Sequence, residues 1–222
     1  MSGAGLQDFY CREAQRLGYV ARSAFKLLQM QKQFKLIGAG DSVLDLGCAP
    51  GAWLQVACQS LGPLEKGGAV VGVDLKKVNV PSHHCDSRVK TVCADVMNLR
   101  MVQARAFSPQ GLGFSVILSD MCPLISGITT KDATLSCELG KRALSLALGN
   151  ASSKNNAGFL GNVEDSINET GVLQRRGNIV IKLLESEDTE GDASGKEMSS
   201  VERLTELCFN LSLQRICKIL QA

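Results

Sequence analysis

Residues 45–53, with the sequence DLGCAPGAW, constrain the fold of this chain more than any other stretch. They lie between two apolar stretches, and this arrangement predicts a buried strand, a tight glycine turn and the start of a helix. Gly47 would allow the sharp turn, Gly51 would let a ligand approach the backbone, and Pro50 suits the first helical turn. The spacing differs from the G-x-G-x-x-G pattern of dinucleotide-binding proteins. Asp45 beside a short turn instead favours a positively charged nucleoside such as S-adenosylmethionine (SAM), although α/β domains that bind no SAM also carry glycine there.

Length and composition are those of one globular domain. The 222 residues, 45% of them hydrophobic, predict a single domain over residues 1–222. No apolar run approaches the roughly 20 residues of a membrane span, so we expect no membrane association. The net charge of +2 neither requires nor excludes a nucleic-acid partner. The absence of a targeting segment predicts a cytoplasmic protein, and a mitochondrial or plastid location stays open if the N-terminus is incomplete.

The nine cysteines are scattered and form no C-x-x-C pair. Several lie in apolar segments, which indicates small buried side chains in a reducing compartment. The adjacent His83 and His84 lack the ligand spacing of a structural zinc site, so we expect no bound metal.

Residues 8–36 form a basic helical segment in which aromatic residues are interleaved. Six lysines and arginines stand against one acid, Glu13, between residues 10 and 35. Arg12 and Arg16 would share a helix face, and residues 23–34 repeat apolar side chains at helical spacing. The residues expected to face inward there are Phe25, Leu28 and Phe34. Cations contact phosphates and flat side chains stack on unpaired bases, so an RNA-facing surface and an ordinary solvated helix both fit.

Downstream, apolar strands alternate with helical segments. We predict strands at residues 69–75, 89–94, 114–118, 178–184 and 214–220, and helices at residues 134–148 and 201–213. This succession predicts an α/β fold, a mainly parallel sheet with helices on both faces. Ligands bind at the carboxyl ends of the strands in such sheets. Four acids fall near those ends: Asp45, Asp74, Asp95 and Asp120.

Residues 149–177 interrupt the alternation. They are rich in Asn, Ser and Gly and are longer than an ordinary connection, so we expect a flexible surface insertion within the domain. Residues 185–200 have a similar polar composition.

Five short motifs follow one another in the order of a known family. They are RSAFKLL at 22–28, DLGCAPGAW at 45–53, VDL at 73–75, SDMCP at 119–123 and IVIKLL at 179–184. Together they resemble the FtsJ-like RNA 2′-O-methyltransferases, which use SAM to methylate ribose in ribosomal RNA. The resemblance implies a Rossmann-like methyltransferase fold and ribosomal RNA or a large-subunit precursor as partner. We also expect a monomer. The subgroup that modifies a large-subunit uridine looks most similar.

The same resemblance implies roles in cofactor binding. Gly51 and Trp53 would line the methionine part of SAM, and Asp74 would bind the ribose hydroxyls. Asp95 would meet the adenine edge, and Asp120 would lie beside the methyl donor. With the two residues of the first turn, the predicted cofactor set is Asp45, Gly47, Gly51, Trp53, Asp74, Asp95 and Asp120.

The family's catalytic set is Lys-Asp-Lys-Glu, and its first three members match Lys26, Asp120 and Lys182. A ribose hydroxyl is a poor nucleophile, so it needs positioning and a group that accepts its proton. Lys182 is the predicted base, Lys26 a second cation, and Asp120 the group that holds the Lys182 amine. A strand-end lysine that reaches water and an aspartate that forms a turn before Pro123 are the alternative interpretations.

Three departures from the family stand out. Leu124 replaces an asparagine, and Leu183-Leu184-Glu185 replaces an aromatic and a glycine after the fifth strand. The Ser-Arg-Glu run that opens the seventh, antiparallel strand has no counterpart, and neither Glu185 nor Glu187 is an expected substitute for its glutamate. Without that strand, we expect unpaired ladder groups between the fifth and sixth strands.

Two main hypotheses therefore stay open. The first is an active RNA ribose 2′-O-methyltransferase, which the presence of all three matched catalytic residues favours. The second is a catalytically weak or inactive paralogue that binds SAM or RNA in ribosome assembly, which the missing strand and glutamate favour. A small-molecule methyltransferase is a third interpretation, but it leaves the basic segment without a purpose.

Overall fold

The structure of this protein is a computed structural model that describes residues 3–149, 170–184 and 217–221. The helices are α1 (Gly3–Arg16), α2 (Ala24–Phe34), α3 (Ala52–Ser60), α4 (Met101–Ala106) and α5 (Thr129–Leu148). The strands are β1 (Ser42–Leu46), β2 (Ala69–Asp74), β3 (Val89–Cys93), β4 (Phe114–Ser119), β5 (Leu173–Leu183) and β6 (Cys217–Gln221). Over these ranges, no helix is both long and apolar enough to cross a bilayer.

The six strands form one sheet in the order β3-β2-β1-β4-β5-β6. Each neighbouring pair is parallel. The winding changes direction between β1 and β4, and ligands of open α/β sheets bind at this switch point. The predicted α/β, Rossmann-like fold is confirmed.

The far edge of the sheet differs from the sequence expectation. β6 pairs directly with β5, with Ile179 opposite Cys217 and Leu183 opposite Gln221. The unpaired ladder groups that we expected in this place are therefore absent along the paired residues. Backbone groups that lack one strand partner gain from pairing with another, which accounts for β6 lying where an inserted strand was expected.

The strands bury side chains on both faces. Val43 and Val116 belong to a core layer with α2 and α3, whereas Leu44 and Ile117 belong to a layer with α4 and α5. All five residues of β1 are buried. Because helices cover both faces, the central strands are continuous apolar runs, and this is why the sequence marks them clearly.

Two predicted boundaries are wrong. α5 begins at Thr129, five residues before the predicted start; the Asp132 carboxylate accepts hydrogen bonds from the Ser126 N–H at 3.0 and 3.1 Å and orders the turn ahead of it. β5 begins at Leu173, inside the predicted insertion 149–177. Residues 174–176, which follow Leu173 in this strand, are polar and exposed. The sequence therefore shows no apolar alternation there. Residues 150–169, 185–200 and the predicted helix 201–213 lie outside the described residues.

The buried face of α2 is rotated relative to the prediction. The fully buried side chains are Ala24, Leu27 and Met30. The predicted inward set, Phe25, Leu28 and Phe34, is only partly buried and packs against the same core layer. The aromatic side chains of α2, Phe25 and Phe34, therefore stay partly exposed at the surface.

Candidate active site

A cavity of ≈ 510 Å³ opens at the carboxyl edge of the sheet. Its walls come from the segments that follow β1, β2, β3 and β4 and from α5. Four residues of the predicted cofactor set line it: Gly47, Asp74, Asp95 and Asp120. The volume and the mixture of apolar walls with a few acids suit a ligand of nucleoside size.

The turn after β1 brings the backbone close to the segment after β4. Gly47 has φ +78°, and a Cβ atom there would lie 2.9 Å from the Met121 Cα atom. The Gly47 N–H donates to the Val73 carbonyl at 2.8 Å, which ties the same turn to β2. A side chain at this position would push the cavity walls apart, so glycine is required for close packing as well as for the turn.

Asp74 and Asp95 are held in place by local hydrogen bonds. The Asp74 carboxylate accepts from the Ala49 and Lys76 N–H groups, each at 2.9 Å. The Asp95 carboxylate accepts from the Met97 N–H at 2.9 Å and from the Asn98 amide at 2.6 Å. Each carboxylate oxygen can accept more than one hydrogen bond, so both acids keep capacity for hydroxyl or amino groups of a ligand.

Asp45 lies beneath the cavity rather than in its wall. Its side chain is fully buried in β1, and neither carboxylate oxygen has a hydrogen-bond partner among the described residues. Burial raises the pKa of Asp45 well above its usual range, and the nearby negative charges of Asp120 and Asp74 act in the same direction. Three acids thus lie close together, Asp45 below the cavity and Asp74 and Asp120 in its wall, where a cation could be held.

Gly51 and Trp53, predicted to line the methionine part of SAM, are not among the residues that line this cavity. Gly51 begins α3 with φ +112°, and a Cβ atom there would lie 2.8 Å from the Pro81 ring, so protein meets it closely. The Trp53 ring is buried in the core layer under α2, and its Nε1–H donates to the Ser23 carbonyl at 3.0 Å. Trp53 therefore fixes the start of α2, three residues before Lys26.

The predicted catalytic residues Lys26, Asp120 and Lys182 come together from three elements: α2, the segment after β4, and β5. Lys182 forms an ion pair with the Asp120 carboxylate, and its Nζ also donates to the Asp120 carbonyl at 3.3 Å. The Lys182 and Asp120 side chains are only 16% and 18% exposed. The pKa of Lys26 is lowered, first by burial and then by the positive charge of Lys182, while Asp120 opposes the shift.

The junction between α1 and α2 is fastened by residues that sequence analysis missed. The side-chain oxygen of Gln55 (Oε1) accepts a hydrogen bond from the Val20 N–H at 2.9 Å. Its side-chain amide (Nε2) donates to the backbone carbonyls of Gly18 and His83 at 2.8 Å each. A fully buried glutamine inside an apolar helix was the available signal, because a buried amide requires partners.

Gln59 and His84 extend this attachment. The Tyr19 hydroxyl donates to the side-chain oxygen of Gln59 (Oε1) at 2.8 Å. The side-chain amide of Gln59 (Nε2) then donates to His84 Nδ1 at 2.9 Å. His84 then donates from Nε2 to the Leu17 carbonyl at 2.7 Å. We refer to Gln55, Gln59 and His84 as the junction clamp.

The cavity also has walls that the sequence did not mark. α5 contributes Leu135, Glu138 and Leu139. Leu124, in the family's asparagine position, lines the cavity and is 95% exposed. Glu185 and Glu187 lie outside the described residues. Within the part of the chain that the structure describes, no group of three or more His, Cys, Asp or Glu side chains could hold a metal ion.

A family model and curated relatives both match this chain. The FtsJ-like methyltransferase family model matches residues 19–193. The chain is 40% identical over 149 residues to the ribosomal RNA large subunit methyltransferase E of Desulfatibacillum aliphaticivorans, covering 64% of each chain. It is 39% identical over 142 residues to the protein of the same name from Syntrophobacter fumaroxidans, covering 64% of this chain and 68% of the relative. A solved ribosomal RNA methyltransferase from Plasmodium falciparum gives a TM-score of 0.47 at 21% identity, covering 67% of this chain and 83% of that one.

Proposed function

The chain belongs to the FtsJ-like methyltransferase family, and from this premise we propose that it transfers a methyl group from SAM to a ribose 2′-hydroxyl of large-subunit ribosomal RNA. The observation that carries the proposal is the cluster of Lys26, Asp120 and Lys182, because Asp120 belongs both to this cluster and to the cavity wall. The names of the relatives support the large subunit, and the motif resemblance supports a uridine as the target.

The residues of the cavity fit SAM. Asp74 and Asp95 offer carboxylate oxygens to ribose hydroxyls and to an amino group, and apolar residues such as Val96 and Leu139 suit a flat base. The unpartnered, buried Asp45 fits the positive charges of the sulfonium and ammonium groups. When bound, SAM supplies an activated methyl group whose bond to sulfur breaks as the ribose oxygen attacks.

The protein's own residues orient the hydroxyl and remove its proton. Asp120 holds the Lys182 amine at the cavity edge and so fixes the position of that amine. Once it has released its own proton, the Lys182 amine would accept the proton of the 2′-hydroxyl. Lys26 places a second amine near Lys182, and like charges disfavour the state in which both carry a proton.

The cluster lies within one chain, so we propose that the protein acts as a monomer on ribosomal RNA or on a large-subunit precursor. Three elements supply its side chains, and the junction clamp with Trp53 fixes the element that carries Lys26. No second copy is needed to complete the set.

The test is transfer of tritiated methyl groups from SAM to ribosomal RNA and to partly assembled large subunits. The parent chain is compared with Lys182→Ala and with Lys66→Ala, which removes an exposed lysine in the turn before β2. We expect transfer by the parent, unchanged transfer by Lys66→Ala, and a loss of at least about 100-fold in Lys182→Ala.

SAM binding is measured in parallel by calorimetry, because it separates chemistry from folding. A Lys182→Ala protein that binds SAM but does not transfer supports the role of Lys182. A parent chain that binds SAM and transfers to neither substrate would favour the SAM-binding assembly factor and overturn the enzyme.

A further inference from the structure

Four aromatic side chains and one histidine form a continuous row from the core to the surface of the α1–α2 unit. Ring centroids lie 5.6 Å apart between Phe9 and Tyr10, 6.1 Å between Tyr10 and Phe25, and 6.2 Å between Phe25 and Tyr19. Tyr19 is stacked on His84 at 4.8 Å. Such distances are those of interacting rings, so each ring restricts the orientation of the next.

The row is anchored at one end and open at the other. Tyr19 is buried and its hydroxyl is bonded to Gln59, within the junction clamp. Phe25 is partly buried, whereas Tyr10 is 44% exposed and Phe9 is 54% exposed. The two exposed rings are inclined at 74° to each other and are held from below, so each presents a preorganised ring face whose side chain has little freedom left to lose on binding.

Cations flank this surface. Arg12 is exposed one turn along α1 from Phe9, and Arg22 is exposed at the junction between Tyr19 and Phe25. Glu13, the one acid between residues 10 and 35, is paired with Arg16 through two hydrogen bonds of 2.8 and 2.7 Å. The neighbourhood is therefore positively charged although the whole chain is close to neutral.

We propose that Phe9 and Tyr10 form a stacking surface for unpaired bases of the RNA substrate, with Arg12 and Arg22 at the adjoining phosphates. This inference rests on the proposed function, because it supposes that RNA is the substrate. Aromatic rings beside cations are the chemistry that single-stranded RNA requires, whereas a paired helix hides its base faces.

The position of the row relative to the catalytic cluster gives the surface its purpose. Phe25 is adjacent in sequence to Lys26, and both lie in the first turn of α2. Tyr10 contacts Phe25, so a base stacked on Tyr10 is held near Lys26 and the rest of the catalytic cluster. We expect the surface to hold nucleotides that flank the target in the strand.

The test uses short unstructured RNA oligonucleotides that carry one 2-aminopurine, whose fluorescence is quenched when the base stacks. The variant is Phe9→Leu with Tyr10→Leu, which keeps apolar, helix-forming side chains but removes both ring faces. Its controls are Tyr10→Phe, which keeps the ring, and Leu64→Ala, which shortens an exposed side chain in the turn before β2. We expect the double variant to bind about 5- to 100-fold more weakly and to lose the quenching, with both controls close to the parent.

The readouts separate the inference from the proposed function. Quenching that survives in the double variant, or equal affinity for parent and variant, would overturn the stacking surface even if methyl transfer proceeds. Weak binding without a change in quenching would also overturn it, since it would indicate a general apolar contact. Loss of methyl transfer in the parent, with quenching that follows the rings, would overturn the enzyme and leave the surface standing.

Discussion

Asp45 is a carboxyl group in the centre of a parallel sheet, and no described group donates a hydrogen bond to it. Its pKa is raised, so the folded protein retains a proton that the unfolded chain releases near pH 4. Stability conferred by the protonated group is full below about pH 4 and falls as the pH rises towards the folded-state pKa. Such a group opposes folding at neutral pH and is expected to serve a ligand.

The prediction for Asp45→Asn follows from this fall in stability with rising pH. Asparagine has no proton to lose, so its advantage in the free energy of unfolding over the parent should grow as the pH rises above about 4, where the unfolded carboxyl ionises. We expect the same variant to bind SAM roughly tenfold more weakly, about 1.4 kcal/mol, because a bound cation favours the ionised form of Asp45, which asparagine cannot adopt. Urea unfolding across pH and calorimetry with SAM measure the two effects. A stability difference that does not vary with pH would contradict the buried, protonated carboxyl.

Cys122 offers a test of the cavity that needs no activity. It lines the cavity and is exposed, and Cys11 is an exposed cysteine on α1. SAM in the cavity should shield Cys122 from N-ethylmaleimide. At a SAM concentration of about ten times Kd, the modification rate of Cys122 should fall about tenfold, since roughly one molecule in eleven stays free. Peptide mass spectrometry reads both sites; equal slowing at Cys11, or none at Cys122, would place the ligand elsewhere.

The junction clamp shows how one helix side chain orders another element. The Gln55 side chain is fully buried and bonds to three backbone groups, from Gly18, Val20 and His83. Gln55→Leu would leave these groups without their partner, so we expect a loss of about 1–3 kcal/mol in the free energy of unfolding. Hydrogen exchange at the Val20 amide should quicken, and methyl transfer should fall because Lys26 loses its fixed position.

The matched control is Gln29→Leu, which changes an exposed glutamine on α2. It should alter neither stability nor Val20 exchange beyond about 0.5 kcal/mol. If Gln55→Leu is as stable as this control, the clamp is not what orders the junction.

Elements that the sequence marked well are those with a strong physical signal. β4 is buried along almost its whole length, and the predicted strand 114–118 matches the observed Phe114–Ser119 almost to the residue. The polar start of β5 lacks such a run. The junction clamp was missed because Gln55 bonds to groups 28 to 37 residues away, and no local pattern encodes these partners.

At the scale of the whole molecule, the candidate site depends on topology more than on any motif. Parallel strands bring their carboxyl ends to one edge, so acids after separate strands could be predicted to meet. Their depth could not be predicted: Asp74 and Asp95 line the cavity, while Asp45 lies below it. The sequence gives no local measure of distance across the sheet, so the packing of Trp53 beneath α2 could not be predicted.

The pairing of β6 with β5 decides whether the sheet is complete at its far edge. Ile219 lies opposite Ile181 in this pair. Ile219→Pro removes a backbone donor and disfavours a strand within a ladder, so we expect a loss of about 1–3 kcal/mol in the free energy of unfolding. Amides of residues 179–183 should exchange faster, while β2 and β3, at the opposite edge, should not change.

Ile219→Val is the control, since it keeps a β-branched side chain and every backbone donor. It should reproduce the parent's exchange in β5. Fast exchange at residues 179–183 in the parent itself would show that β6 does not pair in solution. β5 would then be an edge strand, and because Lys182 lies on that strand, the catalytic cluster would rest on the least protected part of the sheet.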